Sequence, residues 1–311
     1  MVNILKMLEK AAESFENLAI YDSRCLHSIS QKSQCSACID ACPTNGIHIQ
    51  GGRVAVSDCV SCGICAKVCP TDAFIWKYPT YESLYKKLKE ANSCNDPIIV
   101  SCAGSPLTIP EVSVVQIPCF DYLLDDIWTF MLNMNKGYVY LQDGACEGCF
   151  QSCNLPQQVA NIRLYEEKDV RGIIYGERFD RNKRDFLRGV FSYFQEESVK
   201  KWGKKDRGNR ESSRTIKKTW KKEVVELPIQ VVPRNRKEIT VSEEDCLGCK
   251  ACSTLCPESA LRTVTDEKGK SIVKIDHDKC STCGLCVDIC YFNAMTMEVK
   301  ETSKEKDDIH V

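Results

Sequence analysis

CLGCKACSTLCP, residues 246–257, decides how this chain is read, and CSTCGLCVDICY, residues 280–291, repeats it. Both runs follow the spacing C-x2-C-x2-C-x3-C. Pro257 follows the last cysteine of the first run, and Tyr291 stands in that place in the second. The spacing has a physical reason. Three thiolates two residues apart curl around one face of an iron–sulfur cube. The fourth, three residues on, points away and reaches a neighbouring cube. One cluster is therefore expected on Cys246, Cys249, Cys252 and Cys290, and its neighbour on Cys280, Cys283, Cys286 and Cys256. Mostly small residues stand between these thiolates, which lets backbone N–H groups approach the sulfurs and help set the potential. Zinc is the weaker reading, because structural zinc sites prefer separated C-x2–4-C pairs, often with His.

The N-terminal third carries a second pair of blocks. CVSCGICAKVCP, residues 59–70, is regular, with Cys59, Cys62, Cys65 and Cys69. CSACIDACP, residues 35–43, supplies Cys35, Cys38 and Cys42, but Lys32 stands where the first cysteine is expected. Three readings compete. Cys25 loops in from upstream, or the cluster is a three-iron form or keeps a non-cysteine ligand, or Cys25 is a bystander thiol. The first is favoured because four thiolates are the usual set. His27 is close enough in sequence to be considered, but a lone histidine is more often uninvolved. The expected sets are Cys25, Cys35, Cys38 and Cys69, and Cys42, Cys59, Cys62 and Cys65.

Composition narrows the alternatives. The chain has 311 residues, a net charge of -1 and 22 cysteines. A disulfide scaffold of that density belongs to short secreted chains. The start, MVNILKMLEKAAESFENLAIYDSRC, lacks the order of a signal peptide. It reads as an amphipathic helix over 1–24, with Ile4, Leu5, Leu8, Ala12 and Phe15 near one face. No stretch approaches the roughly 18 apolar residues that span a bilayer. The expectation is a cytoplasmic protein whose thiols serve as metal ligands.

Both cysteine groups resemble bacterial two-cluster ferredoxins, on CSACIDACP with CVSCGICAKVCP and on CLGCKACSTLCP with CSTCGLCVDIC. The resemblance implies a βαββαβ fold with pseudo-twofold symmetry, over 25–80 and again over 238–300. Alternation in GIHIQGGRVAVS (46–57) and LRTVTDEKGKSIVKID (261–276) predicts a hairpin between the blocks of each group. Domains this small hold a marginal core and rely on the metal for stability.

The middle reads differently. Apolar runs around Ile98 and Val114, a helical pattern over Asp121 to Met134, and a run at Tyr138–Leu141 predict a small parallel α/β domain within 94–180. The whole chain is thus expected to be α+β, two ferredoxin-like dicluster domains flanking a small α/β domain. GACEGCFQSCN (144–154) after YVYLQ, and IPCF (117–120), look like the iron–sulfur subunit that links a hydrogenase to heterodisulfide reductase. That resemblance implies a [2Fe–2S] cluster here. The sequence departs from the family's spacing, with Cys94 and Cys102 in place of a close pair. A cluster on a subset of Cys102, Cys119, Cys146, Cys149 and Cys153, buried structural thiols, and a redox dithiol at Cys146 and Cys149 all stay open.

Residues 181–237 read as a helix followed by a basic linker. Its run from Lys200 to Lys222 sets eleven Lys or Arg against Asp206 and Glu211. With only Trp202 and Trp220 as stacking aromatics, nucleic acid is disfavoured and an acidic partner surface favoured. No G-x-G-x-x-G, P-loop or G-x-S-x-G supplies hydride- or group-transfer machinery. The expected function is electron relay in anaerobic metabolism, from a low-potential donor to a redox enzyme partner. Four [4Fe–4S] clusters carry it, with room for one further [2Fe–2S] cluster. The alternative is a subunit of a disulfide or sulfur-compound reductase with a reactive middle-domain thiol or cluster.

Overall fold

A computed structural model describes residues 17–94, 98–103, 113–134, 137–140, 236–265 and 269–300. Elements are numbered in chain order among these residues. The N-terminal module runs β1 (Leu18–Ile20), α1 (Leu26–Ile29), α2 (Ala37–Asp40), β2 (Ile47–Gln50), β3 (Arg53–Val56), α3 (Ile64–Val68) and β4 (Phe74–Trp76). β2 and β3 form an antiparallel hairpin that turns at Gly51 and Gly52, both at positive φ. β1 pairs antiparallel with β4, Leu18 opposite Trp76. That closes the two halves of the module on each other.

The C-terminal module repeats the plan. Its elements are β8 (Arg236–Val241), α6 (Ala251–Leu255), β9 (Leu261–Thr265), β10 (Ser271–Ile275), α7 (Leu285–Asp288) and β11 (Met295–Lys300). The outer strands pair, Met295 opposite Val241, and the inner pair forms the hairpin, Ile275 opposite Leu261. The order is βαββαβ. Each helix is one turn or slightly more, too short to be stable alone. What orders them is the cysteine loops they terminate.

The remaining elements are α4 (Tyr81–Cys94), β5 (Ile98–Cys102), β6 (Ser113–Ile117), α5 (Asp125–Leu132) and β7 (Gly137–Tyr140). β5 lies between β6 and β7, parallel to both. All five residues of β5 are buried, as a central parallel strand covered on both faces requires. α4 buries Tyr81, Leu84, Leu88 and Ala91, a spacing of three, four and three that keeps them on one stripe. Among the described residues no helix is long and apolar enough to cross a membrane.

Two compact units result. One comprises Met1–Tyr78, Pro118–Asp125 and Gln230–Val311; the other comprises Pro79–Ile117 and Asp126–Ile229. The dicluster modules therefore flank the α/β segment along the chain but share one unit in space. Leu26 of the first module is buried in a core with Ile239, Val273, Leu285 and Met295 of the second. The Gln34 backbone N–H donates to the Asp288 carboxylate at 2.8 Å across the same junction.

Several expectations shift. Of the stretch 1–24, residues 1–16 lie outside the described residues; Leu18–Ile20 is a strand and Asp22–Arg24 a 3-10 turn. Pairing with β4 fixes that conformation, overriding the helical pattern upstream. The helix expected over Asp121 to Met134 is confined to Asp125–Leu132, after a 3-10 turn at Phe120–Tyr122. Helix α4 was not expected, and the segment around the sheet starts with it rather than at residue 94. The basic run lies outside the described residues, and the last two residues of 181–237 begin β8. Leu84 is wholly buried on α4. Leu84→Ala should cost about 2–5 kcal/mol, read as a lowered urea midpoint in far-ultraviolet circular dichroism.

Candidate metal centres

The backbone of the cysteine loops repeats as the sequence does. In three blocks the second cysteine is bracketed by left-handed residues: Ser61 and Gly63 around Cys62, Gly248 and Lys250 around Cys249, Thr282 and Gly284 around Cys283. This curl turns successive thiols toward one centre. Left-handed Ser, Thr and Lys are strained, each by about 1 kcal/mol, so the loops are held by what they surround. The first block lacks the curl: Ser36, after Cys35, has φ -119.

A second repeat follows each outward-reaching cysteine. Asn45, Asp72, Ser259 and Asn293, each three residues on, are all left-handed, with φ of 52, 53, 52 and 53. The turn aims the next N–H back at the sulfur. Ala73 N–H donates to Cys69 Sγ at 3.2 Å, and Ala260 N–H to Cys256 Sγ at 3.4 Å. Gly46 N–H does the same for Cys42. In the N-terminal module a hydroxyl is added: Thr44 Oγ1 is 3.5 Å from Cys42 Sγ, and Thr71 Oγ1 is 3.7 Å from Cys69 Sγ.

The thiols lie in groups. Burial pushes the Cys38 thiol up to about 12, and the neighbouring Cys69, Cys35 and Cys25 add to the push. Burial also raises Cys65, aided by Cys62 and Cys59, while Cys62 in turn feels Cys59 and Cys42. Cys252 is raised by burial, then by Cys249 and Cys246. Cys286 rises to about 12 through burial, with Cys283, Cys280, Cys252 and Cys256 around it. Cys290 packs against the same core as Cys246 and Cys252. Cys42 runs the other way: burial pushes it up, but hydrogen bonds from Thr44, Gly46 and Asn45 outweigh that and lower it.

Cys25 reaches its group through a scaffold the sequence did not announce. The buried Arg24 donates to the Asp72 carbonyl at 3.3 Å and lies 4.0 Å over the Tyr21 ring. That ties the Cys25 strand to the turn after Cys69. His27 is a brace rather than a thiol's substitute: its Nε2–H donates to the Cys35 carbonyl at 2.8 Å. Ser28 Oγ donates to the Gly52 carbonyl, anchoring the next turn to the hairpin. Lys32 is exposed. Short polar side chains on a one-turn helix leave no periodic signal, so none of these contacts was readable beforehand.

The donor set fits an iron–sulfur cube. Cys252, Cys256, Cys280, Cys283 and Cys286 line one cavity. Apolar Ile239, Ala260 and Leu261 complete its wall. Ser61 Oγ is buried in its cysteine loop with no hydrogen-bond partner among the described residues. A buried hydroxyl without a partner is costly, and cluster sulfur supplies an acceptor. Among the described residues no three His, Cys, Asp or Glu side chains converge on a single-ion site.

Cys94 is exposed at the end of α4, and Cys102 is buried at the end of β5. Cys119 is buried and precedes the 3-10 turn of the other unit. Cys146, Cys149 and Cys153 lie outside the described residues. Residues 118–125 instead cover the block around Cys62. The Tyr122 ring lies 6.3 Å from that of Trp76, and Lys67 Nζ is 3.7 Å from the Asp125 carboxylate. A Cβ on Gly63 would come within 3.0 Å of Pro118 Cγ and Tyr122 Cδ2. Only glycine admits this lid, a constraint invisible to spacing rules.

Comparison with known proteins falls on the same residues. The family described as 4Fe-4S dicluster domain matches 32–73 and 245–294. An uncharacterized ferredoxin of Methanocaldococcus jannaschii is 34% identical over 70 residues, which are 22% of this chain and 90% of the relative. A ferredoxin of Methanothermococcus thermolithotrophicus is 45% identical over 47 residues, 14% of this chain and 78% of the relative. One component of an ion-translocating oxidoreductase complex of Methanosarcina acetivorans is 42% identical over 50 residues, 16% of this chain. This chain spans only 17% of that component's length.

Cys25 and Lys32 can be separated by substitution. Cys25→Ala should lower bound iron by about four atoms per chain, or leave a three-iron centre visible in the oxidised protein. Lys32→Ala should leave iron and its paramagnetic signals unchanged, as measured on anaerobically purified protein.

Proposed function

The chain belongs to the ferredoxins that carry 4Fe–4S dicluster domains, and from that premise we propose a four-cluster relay between a low-potential donor and a redox enzyme partner. Transfer of electrons through iron–sulfur centres is its function. The chain-specific part of the proposal is the ligand assignment. Cys25, Cys35, Cys38 and Cys69 hold one cluster; Cys42, Cys59, Cys62 and Cys65 hold the second. Cys246, Cys249, Cys252 and Cys290 hold the third; Cys256, Cys280, Cys283 and Cys286 hold the fourth.

The observation that carries this reading is the crowding of thiols around one buried member of each set: Cys69, Cys35 and Cys25 around Cys38, Cys62 and Cys59 around Cys65, Cys249 and Cys246 around Cys252, and Cys283, Cys280 and Cys256 around Cys286. Such a set is unfavourable as free thiolates and needs positive charge at its centre. Bound clusters carry one electron at a time, while the protein supplies spacing, burial and hydrogen bonds. Residues 118–125 cover the block around Cys62. Contact between the modules at Leu26 and at Gln34–Asp288 favours one continuous relay over two independent carriers. A partner in an oxidoreductase complex is suggested by the named role of the Methanosarcina acetivorans relative. A cytoplasmic setting suits ligating thiols that must stay reduced.

Anaerobic iron and sulfide determination with electron paramagnetic resonance tests the reading. About sixteen irons per chain are expected, and about eighteen would add a two-iron site in the middle segment. Colourless protein, or protein holding zinc, would sink the proposal.

A further inference from the structure

The two modules repeat each other in fold, turn geometry and thiol grouping, so their differences near the sulfurs stand out. The sharpest lies two residues after the cysteine that reaches across to the other block. In the N-terminal module that residue is Thr44, after Cys42, and Thr71, after Cys69. In the C-terminal module it is Glu258, after Cys256, and Phe292, after Cys290. Thr44 Oγ1 lies 3.5 Å from Cys42 Sγ, and Thr71 Oγ1 lies 3.7 Å from Cys69 Sγ. A metal-bound sulfur has no proton, so in the loaded protein the hydroxyl donates. Glu258 lines the cavity of its own site and its charge bears on the Cys280 thiol.

The other contributions to this pair of sites largely match. A backbone N–H four residues after the crossing cysteine reaches the sulfur in both modules, at Cys42 and at Cys256. One buried serine hydroxyl sits in each three-cysteine loop, Ser61 in one and Ser281, which reaches Cys283, in the other. What differs beside the crossing cysteines is a hydroxyl donor, Thr44, against a carboxylate, Glu258. A reduced cluster carries one more negative charge than an oxidised one. A donor pointed at its sulfur stabilises that charge, and a nearby carboxylate opposes it.

We propose that Thr44 and Glu258 hold the Cys42/Cys59/Cys62/Cys65 site at a higher reduction potential than the Cys256/Cys280/Cys283/Cys286 site, so that electrons enter at the C-terminal module and leave from the N-terminal one. Both are positioning residues, acting on the clusters through charge and hydrogen bonding. Thr71 against Phe292 repeats the bias at the remaining pair. Asp288 opposes it there, since its charge also reaches Cys35 across the junction. The step moves one electron from the reduced C-terminal site to the oxidised N-terminal site, with no atom or proton transferred. A low-potential one-electron donor refills the first, and an oxidising partner drains the second. The inference rests on the cluster assignment of the preceding section.

Redox titration of the full, cluster-loaded chain, followed by electron paramagnetic resonance, tests it. Thr44→Val should lower one reduction wave, and Glu258→Gln should raise another. At fixed applied potential each shift should change the reduced-to-oxidised ratio about tenfold, or about 59 mV for a one-electron couple. The wave that answers to Thr44 must lie above the wave that answers to Glu258. Thr44→Ser, which keeps the hydroxyl, should restore the wild-type position. Should Thr44→Val fail to load, Thr71→Val carries the same expectation for its own wave. Full iron content with unmoved waves, or waves in the reverse order, overturns the direction of flow while leaving the cluster assignment intact. Missing iron in the wild-type chain overturns the assignment itself.

Discussion

Four buried sulfurs around one centre repel each other, and everything else in the first unit answers to that repulsion. Burial and the neighbouring thiols together push Cys38 and Cys286 to about 12. A chain that folds this way without metal holds its ligands protonated. A cluster replaces those protons with iron and converts a repulsive arrangement into a bonded one. The one-turn helices, two-stranded sheets and strained left-handed loop residues make little sense as a free-standing core. They make sense as a shell around iron–sulfur clusters.

The shell is also asymmetric. The N-terminal module adds threonine hydroxyls to its crossing cysteines, a lid from residues 118–125 and, beside Cys38 and Cys69, Cys25 from upstream. The C-terminal module keeps the regular spacing, with a carboxylate and an aromatic pair in the corresponding places. Exposed Tyr291 and Phe292, stacked edge to face at 5.3 Å, follow Cys290 directly. Duplication accounts for what the halves share. The differences lie where potential and access are decided, since hydrogen bonds, charge and solvent exposure are what tune a cluster.

Legibility in the sequence tracked the range of the interaction. The regular blocks could be read because a cube fixes ligand spacing within eleven residues of chain. The hairpins could be read because alternation and glycine turns are local. The parallel pairing of β5, β6 and β7 followed from strand and helix order. Helix α4 was missed although its stripe of Tyr81, Leu84, Leu88 and Ala91 was present, because four apolar positions among many polar ones make a faint pattern beside the cysteine blocks. Residues 18–24 were misjudged because a strand that exists only by pairing with β4 has no periodic signature of its own.

Spacing alone determined that this chain carries 4Fe–4S dicluster domains and that the plan occurs twice. Those facts are local, and covalent geometry enforces them wherever the chain goes. Tertiary structure decided the rest. It brought Cys25 rather than Lys32 beside Cys35 and Cys38, through Arg24, His27 and Ser28. It joined the two modules at Leu26 and at Gln34–Asp288, across more than two hundred residues of intervening sequence. It laid Tyr122 over Gly63. Contacts between distant segments depend on how completed surfaces fit, and no motif encodes that fit.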